Sequence, residues 1–184
     1  MTLGLNTRTG RDRRPKSTSE GSAAGYFPLR AGNEWIYTFQ SRDGERRQIV
    51  RVEEVLQLRG LDWASVSYRV EGSGEEFAKL LRTDDDLLLQ YSIPRTEEIR
   101  LIDFSRSEID RTDPSLGFVE KRDQTVSIRG MNFERCVVVG SGYVDHEIGI
   151  YAPGIGLIES SWLYGRKQLL SAVIDGVHIG SDAR

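Results

Sequence analysis

Few residues of this sequence have the type and spacing that chemistry requires. Its two histidines are His146, framed as Asp145-His146-Glu147, and His178 near the end. An imidazole beside carboxylates suits proton transfer or metal ligation. A metal site, however, needs ligands spaced to share one face, and neither an H-E-x-x-H stretch nor a His-x-His pair occurs. Asp84-Asp85-Asp86 offers hard oxygen ligands but lacks the D-x-D-x-D-G…E spacing of a calcium loop, so it reads as a solvated turn. The single Cys136 alternates with valines and reads as a small core residue. No serine sits in a G-x-S-x-G frame. The pairs Glu53-Glu54 and Glu97-Glu98 fall in strand patterns, where neighbouring side chains point to opposite faces and cannot work as an acid–base couple. Gly154 and Gly156 are followed by a strand pattern, whereas a phosphate cradle needs a glycine loop opening a helix. No catalytic residue, metal or cofactor is expected on these grounds. An enzyme reading, a hydrolase or lyase assembled from distant loops, would have to centre on His146 and the loop 105–115.

What stands out instead is aromatic. Trp35, Tyr37 and Phe39 share one parity, so their rings project from one face of a strand, and Trp63 and Tyr68 are expected to join them on the concave side of a sheet. Such a row either packs a core or lines an apolar ligand groove.

The elements that position these rings read as strands. The chain is organised around residues 143–158 (YVDHEIGIYAPGIGLI), an apolar strand pattern broken by Ala152-Pro153-Gly154 and resumed by Ile155-Gly156-Leu157-Ile158. Proline with fixed φ followed by a permissive glycine makes a rigid corner between two buried strands. Before it, order begins at Tyr26-Phe27-Pro28-Leu29 and a Gly32-Asn33 turn, then Asp43-Gly44 marks a hairpin. Residues 47–58 fit a helical stripe or a strand; β-branched residues and flanking turns favour the strand. Short strands follow over 63–70, 77–81, 87–91, 99–104, 118–120 and 125–129, a longer one over 131–139 broken at Arg135, and a closing hairpin around Asp175-Gly176. The expectation is an all-β domain, a curved antiparallel half-barrel or open barrel of roughly ten strands with little or no helix, because a sheet that wide must curl.

At 184 residues the chain suffices for one core burying about 70% of the unfolded surface. The net charge of −3 divides into +3 over residues 1–25 (five basic side chains, two acidic) and therefore −6 over the rest. Residues 1–25 read as a disordered basic leader, with a single β domain over 26–184. The acidic body argues against nucleic acid as partner. No apolar run approaches the roughly 20 residues of a membrane helix. The leader holds no apolar core of the kind a secretory signal needs, which leaves three readings open: a cytoplasmic protein, a signal that was cut off, or a misassigned start.

Taken together, Tyr26-Phe27-Pro28-Leu29…Gly32-Asn33-Glu34-Trp35-Ile36-Tyr37, then Asn132-Phe133-Glu134-Arg135-Cys136-Val137, and Tyr151-Ala152-Pro153-Gly154-Ile155-Gly156-Leu157-Ile158 resemble a broad bacterial family of unknown function, TapB-like. The resemblance covers about residues 26–178. It marks Pro28, Gly32, Pro153, Gly154 and Gly156 as structural motif residues, and implies a half-barrel similar in outline to lipoprotein carriers of the LolA and LolB type and an envelope location. The function it implies is non-enzymatic: binding a lipid, another apolar ligand or a partner peptide on the concave face. A purely structural module that pairs with a protein through a sheet edge is the further reading.

Overall fold

The computed structural model describes residues 21–41, 44–141, 147–163 and 165–180. After a single helical turn, α1 (Ala23–Tyr26), come twelve strands: β1 (Glu34–Ser41), β2 (Gly44–Leu58), β3 (Leu61–Val70), β4 (Glu76–Asp84), β5 (Leu87–Ser92), β6 (Glu97–Asp103), β7 (Gly117–Ile128), β8 (Met131–Gly140), β9 (Ile148–Ala152), β10 (Gly156–Trp162), β11 (Gly165–Ile174) and β12 (Val177–Gly180). The ambiguous residues 47–58 are strand, as their β-branched content favours. The two short segments expected over 118–129 form one irregular strand, β7.

The expected half-barrel is corrected to a closed one. Each strand pairs with the next, and β1 also pairs with β11 from Glu34↔Val173 to Phe39↔Lys167, so eleven strands close into a barrel and β12 adds to β11 outside the ring. Closure satisfies the backbone groups that a half-barrel would leave along two edges. Only β12 carries pairing on one side alone at the end of the strand order, and it is four residues long.

Three of the hairpins turn in two residues with φ positive at both: Arg59-Gly60, Arg129-Gly130 and Asp175-Gly176. That backbone twist matches the right-handed twist of the flanking strands, so these turns set register tightly. Arg135, where the sequence pattern broke, has φ of 55° inside β8, and the β7–β8 register slips beside it. The bulge adds local twist, which helps a barrel to close.

One seam is different. β6 and β7 run parallel and share only the pairs Ile102↔Gly117 and Asp103↔Phe118. A parallel connection must cross over and cannot be a tight turn, which explains why the longest internal loop, 104–116, lies here. Its ends are anchored by Phe104 and Leu116, each 1% exposed.

The core lies inside the ring in two adjoining clusters. One gathers Trp35, Val52, Val66, Phe133, Ile158 and Leu169; the other gathers Ala23, Tyr26, Leu88, Ile102, Phe104 and Val139. α1 therefore belongs to the core: Tyr26 stacks on Phe104 with ring centres 5.2 Å apart, and Phe27 meets Tyr151 at 5.1 Å.

The residues of the two outer motifs meet in space. The Gly154 amide donates to the Gly25 carbonyl (2.7 Å), Trp35 Nε1 donates to the Ile155 carbonyl (2.5 Å), and the Tyr37 hydroxyl donates to the Leu157 carbonyl (2.9 Å). Gly156, at φ of 102°, lies where a Cβ would come within 3.5 Å of Trp35 Nε1 and of the Tyr26 carbonyl. Asn33, 2% exposed, ties the same region together: its Nδ2 donates to the Pro28 carbonyl and its Oδ1 accepts from the Asp175 amide, both at 2.8 Å. Proline's fixed φ at Pro28 and Pro153 and the positive φ of Gly32 (90°) and Gly154 (69°) shape the two segments that clasp.

Asn33→Ala leaves two backbone groups in this clasp without partners, so it should cost roughly 2–4 kcal/mol; a denaturant midpoint unchanged with unchanged slope would show the clasp to be dispensable. Cys136 is fully buried, and burial pushes its thiol up to about 11. A disulfide-type thiol reagent at neutral pH should therefore label the native protein at least about 100-fold more slowly than the unfolded chain. Comparable rates in the two states would contradict the buried placement.

Candidate functional site

The ring is not filled from end to end. A cavity of about 400 Å³ lies inside it, lined by Trp35, Tyr37, Val50, Val66, Tyr68, Leu81, Leu88, Leu101, Tyr151 and Leu157 among others, with Phe27 and Leu29 closing one end. That volume falls in the lower part of the range of small-molecule sites, and the lining has their usual character, mostly apolar with a few polar groups.

Strand alternation decides which side chains reach it. β1 sends Trp35 and Tyr37 inward, β2 Val50, β3 Val66 and Tyr68, and β4 Lys79 and Leu81, each set separated by two residues. The closed end is the one where β1 begins and β9 turns into β10, and it is stoppered by the segment that follows α1. Phe27 and Leu29 also border a second hollow of about 630 Å³, whose lining includes Gly21, Pro28, Arg122, Arg135 and Pro153. The short segment is thus a partition between the two.

The opposite end is where β1, β3, β8 and β10 finish and β2, β4, β9 and β11 begin. Lys79, Lys167 and Glu147 lie toward it and are the charged residues of the lining. Glu147 is exposed, so the cavity reaches the surface there. Lys167 Nζ sits 5.1 Å from the centre of the Tyr37 ring and 3.4 Å from Gln48 Oε1; Lys79 Nζ sits 5.7 Å from the centre of the Tyr68 ring. Tyr68 is itself stacked on Phe77 at 4.9 Å, and Phe77 is half exposed at the same end. Burial lowers the pKa of Lys167; Glu147 opposes that shift and the like charge of Lys79 adds to it. Burial raises Tyr37 well above its ordinary value, raises Tyr151, and pushes Tyr68 up to about 12.

Of the residues expected on the concave face, Trp35, Tyr37 and Tyr68 line the cavity. Phe39 keeps their parity, pairs with Lys167 and is half-buried nearer the strand end, outside the lining. Trp63 alternates with Ala64 and Val66 and so points away from the interior. It is 1% exposed because Tyr91 packs against it at 5.5 Å and the Arg82 guanidinium covers it at 5.2 Å, held by Asp84 and Glu98. Sequence parity on β3 distinguishes Trp63 from Tyr68, but only the strand pairing says which parity faces inward. Lys79, Lys167 and Tyr151 were not singled out from the sequence. Their signal, a charged or polar residue at an inward position of an apolar strand, becomes visible only when each strand's inward face is fixed.

His146 lies outside the described residues. Ser115, from the loop proposed to accompany it, lines the cavity, and its hydroxyl donates to Asp113 Oδ1 at 2.5 Å. His178 lies on β12, outside the ring.

The interior phenols give a pH prediction. For Tyr37, Tyr68 and Tyr151 the folded-state pKa lies above the unfolded value near 10, so folding favours the neutral form. Their contribution to stability is complete below about pH 10 and is lost as pH rises through about 12. Ultraviolet titration should show at least three of the seven tyrosines still protonated at about pH 11 in the folded protein, Tyr26 also being raised by burial. Ionisation of all seven with the fold intact would contradict the placement of these rings.

Neither a protein-family model nor a curated protein matches this sequence. Two solved structures share its fold. A "putative lipoprotein" from Parabacteroides distasonis superposes with a TM-score of 0.51 at 12% identity, covering 78% of this chain and 96% of that one. A "putative exported protein with YmcC-like fold" from Bacteroides fragilis superposes with a TM-score of 0.50 at 12% identity, with the same coverage of both chains. The chain is thus an all-β barrel similar in fold to these two bacterial proteins.

Proposed function

We propose that this protein is a non-enzymatic binding protein that holds a small, largely apolar ligand inside the barrel. The observation that carries the reading is the cavity of about 400 Å³, walled by aliphatic and aromatic side chains and reaching the surface at the Glu147 end. Well-folded interiors pack as densely as organic crystals and keep few voids larger than a water molecule. A hollow of this size in the centre of a barrel, with rings around it, is a departure that ligand binding accounts for. A lipid fragment or a similar apolar molecule is the cargo such a wall suits. The motif resemblance supports the cell envelope as the compartment.

The scaffold reading, in which a partner adds a strand, has as edges the parts of β6 and β7 beyond their two shared pairs, and β12, whose Val177, His178 and Gly180 are exposed on a strand only four residues long. The β12 edge is short for strand addition. The interior is the better-supported site.

A neutral solvatochromic naphthylamine dye tests the reading. Purified protein, extracted to remove co-purified lipid and refolded, should bind the dye saturably with a blue shift, and decanol should compete for it. Leu157→Trp fills the cavity from its wall, at an overpacking cost of about 1–3 kcal/mol, and should weaken dye binding about tenfold or more while the far-ultraviolet spectrum stays that of the barrel. Absence of saturable binding, or dye binding untouched in a folded Leu157→Trp variant, would overturn the interior site.

A further inference from the structure

Resting on that reading of the cavity, we infer that the ligand is an amphipath with an anionic head group, its tail directed into the barrel and its head held between Lys79 and Lys167. The polarity of the lining is divided along the barrel. Trp35, Val50, Val66, Leu81 and Leu88 make the inner wall, whereas every charged residue of the lining, Lys79, Lys167 and Glu147, lies toward the end that reaches the surface. The balance there is two cations against one anion.

The two ammonium groups are poorly compensated. Among the described residues neither forms an ion pair. The polar partner of Lys167 is the Gln48 amide oxygen at 3.4 Å, and each lysine otherwise rests on the face of a tyrosine. Cation–π contact of this kind offsets part of the desolvation of an ammonium but leaves its hydrogen-bond donors unused. The electrostatics agree: burial above all disfavours Lys167 as a cation, attraction to Glu147 offsets part of that, and repulsion from Lys79 adds a smaller share. A carboxylate or phosphate placed between the two lysines removes the repulsion and takes up free donors in a partly desolvated site, where charge-assisted hydrogen bonds are strongest. Tyr68, whose ring lies under Lys79, and Tyr151 line the same cavity and carry the phenolic donors of its wall together with Tyr37. Phe77, half exposed at that end, stacks on Tyr68 and offers the entering tail an apolar threshold.

A carboxylate and a phosphate monoester share this chemistry, and a set of ligands with one tail separates them. Decanoate, decyl phosphate, decanol and decyltrimethylammonium would each be titrated against the bound neutral dye, on the wild-type protein and on Lys79→Met and Lys167→Met. Methionine keeps the length and apolar stem of lysine without its charge, and Lys167→Gln serves should Lys167→Met fail to fold. At least one of the two anions should bind about tenfold or more tighter than decanol, and the cation more weakly than decanol. Each lysine substitution should reduce the preference for that anion while leaving decanol affinity within about twofold. The tighter of the two anions identifies the head group. If decanol matches both anions, or both single lysine variants keep the full preference, the head-group assignment is wrong while the apolar site stands. If none of the four ligands displaces the dye, both the assignment and the reading beneath it fall.

Discussion

The pairing of β1 with β11 is the constraint on which the rest of this structure depends. A sheet of this width has two edges whose amides and carbonyls need partners, and six residue pairs from Glu34↔Val173 to Phe39↔Lys167 supply them by joining the first strand to the eleventh. Once joined, the sheet has an inside. The alternation of side chains along each strand then sorts Trp35, Tyr37, Val50, Val66, Tyr68 and Leu81 to that inside and sends their neighbours out. The same pairing brings Lys167 of β11 alongside β1, which is why an ammonium group comes to lie over the Tyr37 ring.

Closure alone would leave an open tube, and the segment after α1 makes one end of it a floor. Tyr26, Phe27 and Leu29 enter the ring and pack with Phe104 and Tyr151, and the backbone of the segment is clasped to the Pro153-Gly154 corner. The bonds from Trp35 and Tyr37 to the carbonyls of Ile155 and Leu157 make those two rings serve the clasp as well as the cavity wall. Stability and site therefore share residues: a change at Trp35 that empties the wall also breaks a buried hydrogen bond. For that reason Leu157 and the two lysines are better probes of binding than the aromatic row.

The weak place in the ring is the β6–β7 seam, with two residue pairs and a thirteen-residue crossover over 104–116. A half-barrel expectation is close to this picture, since the sheet there holds together by the least pairing of any neighbouring strands that close the ring. What it lacks is the second seam, β1–β11, which brings the two ends of the sheet together at the other side.

Much of this was legible in the chain. Alternation, Asp-Gly turns and the absence of an unambiguous helical stripe determine an all-β fold, because they act over a few residues and need no knowledge of the partner strand. The pairs Tyr26-Phe27-Pro28-Leu29 with Trp35-Ile36-Tyr37, and Ala152-Pro153-Gly154 with Gly156-Leu157, stand out as motifs, and each half has a local reason in proline and glycine geometry. Tertiary structure alone decided that these halves touch, that the sheet closes, that Trp63 faces outward under Arg82, and that Lys79 and Lys167 share one end of a cavity. Those facts depend on which strands pair and in what register, over separations of up to more than a hundred residues. Parity within a strand says that two side chains share a face; only its pairing with distant strands says which face is the inside.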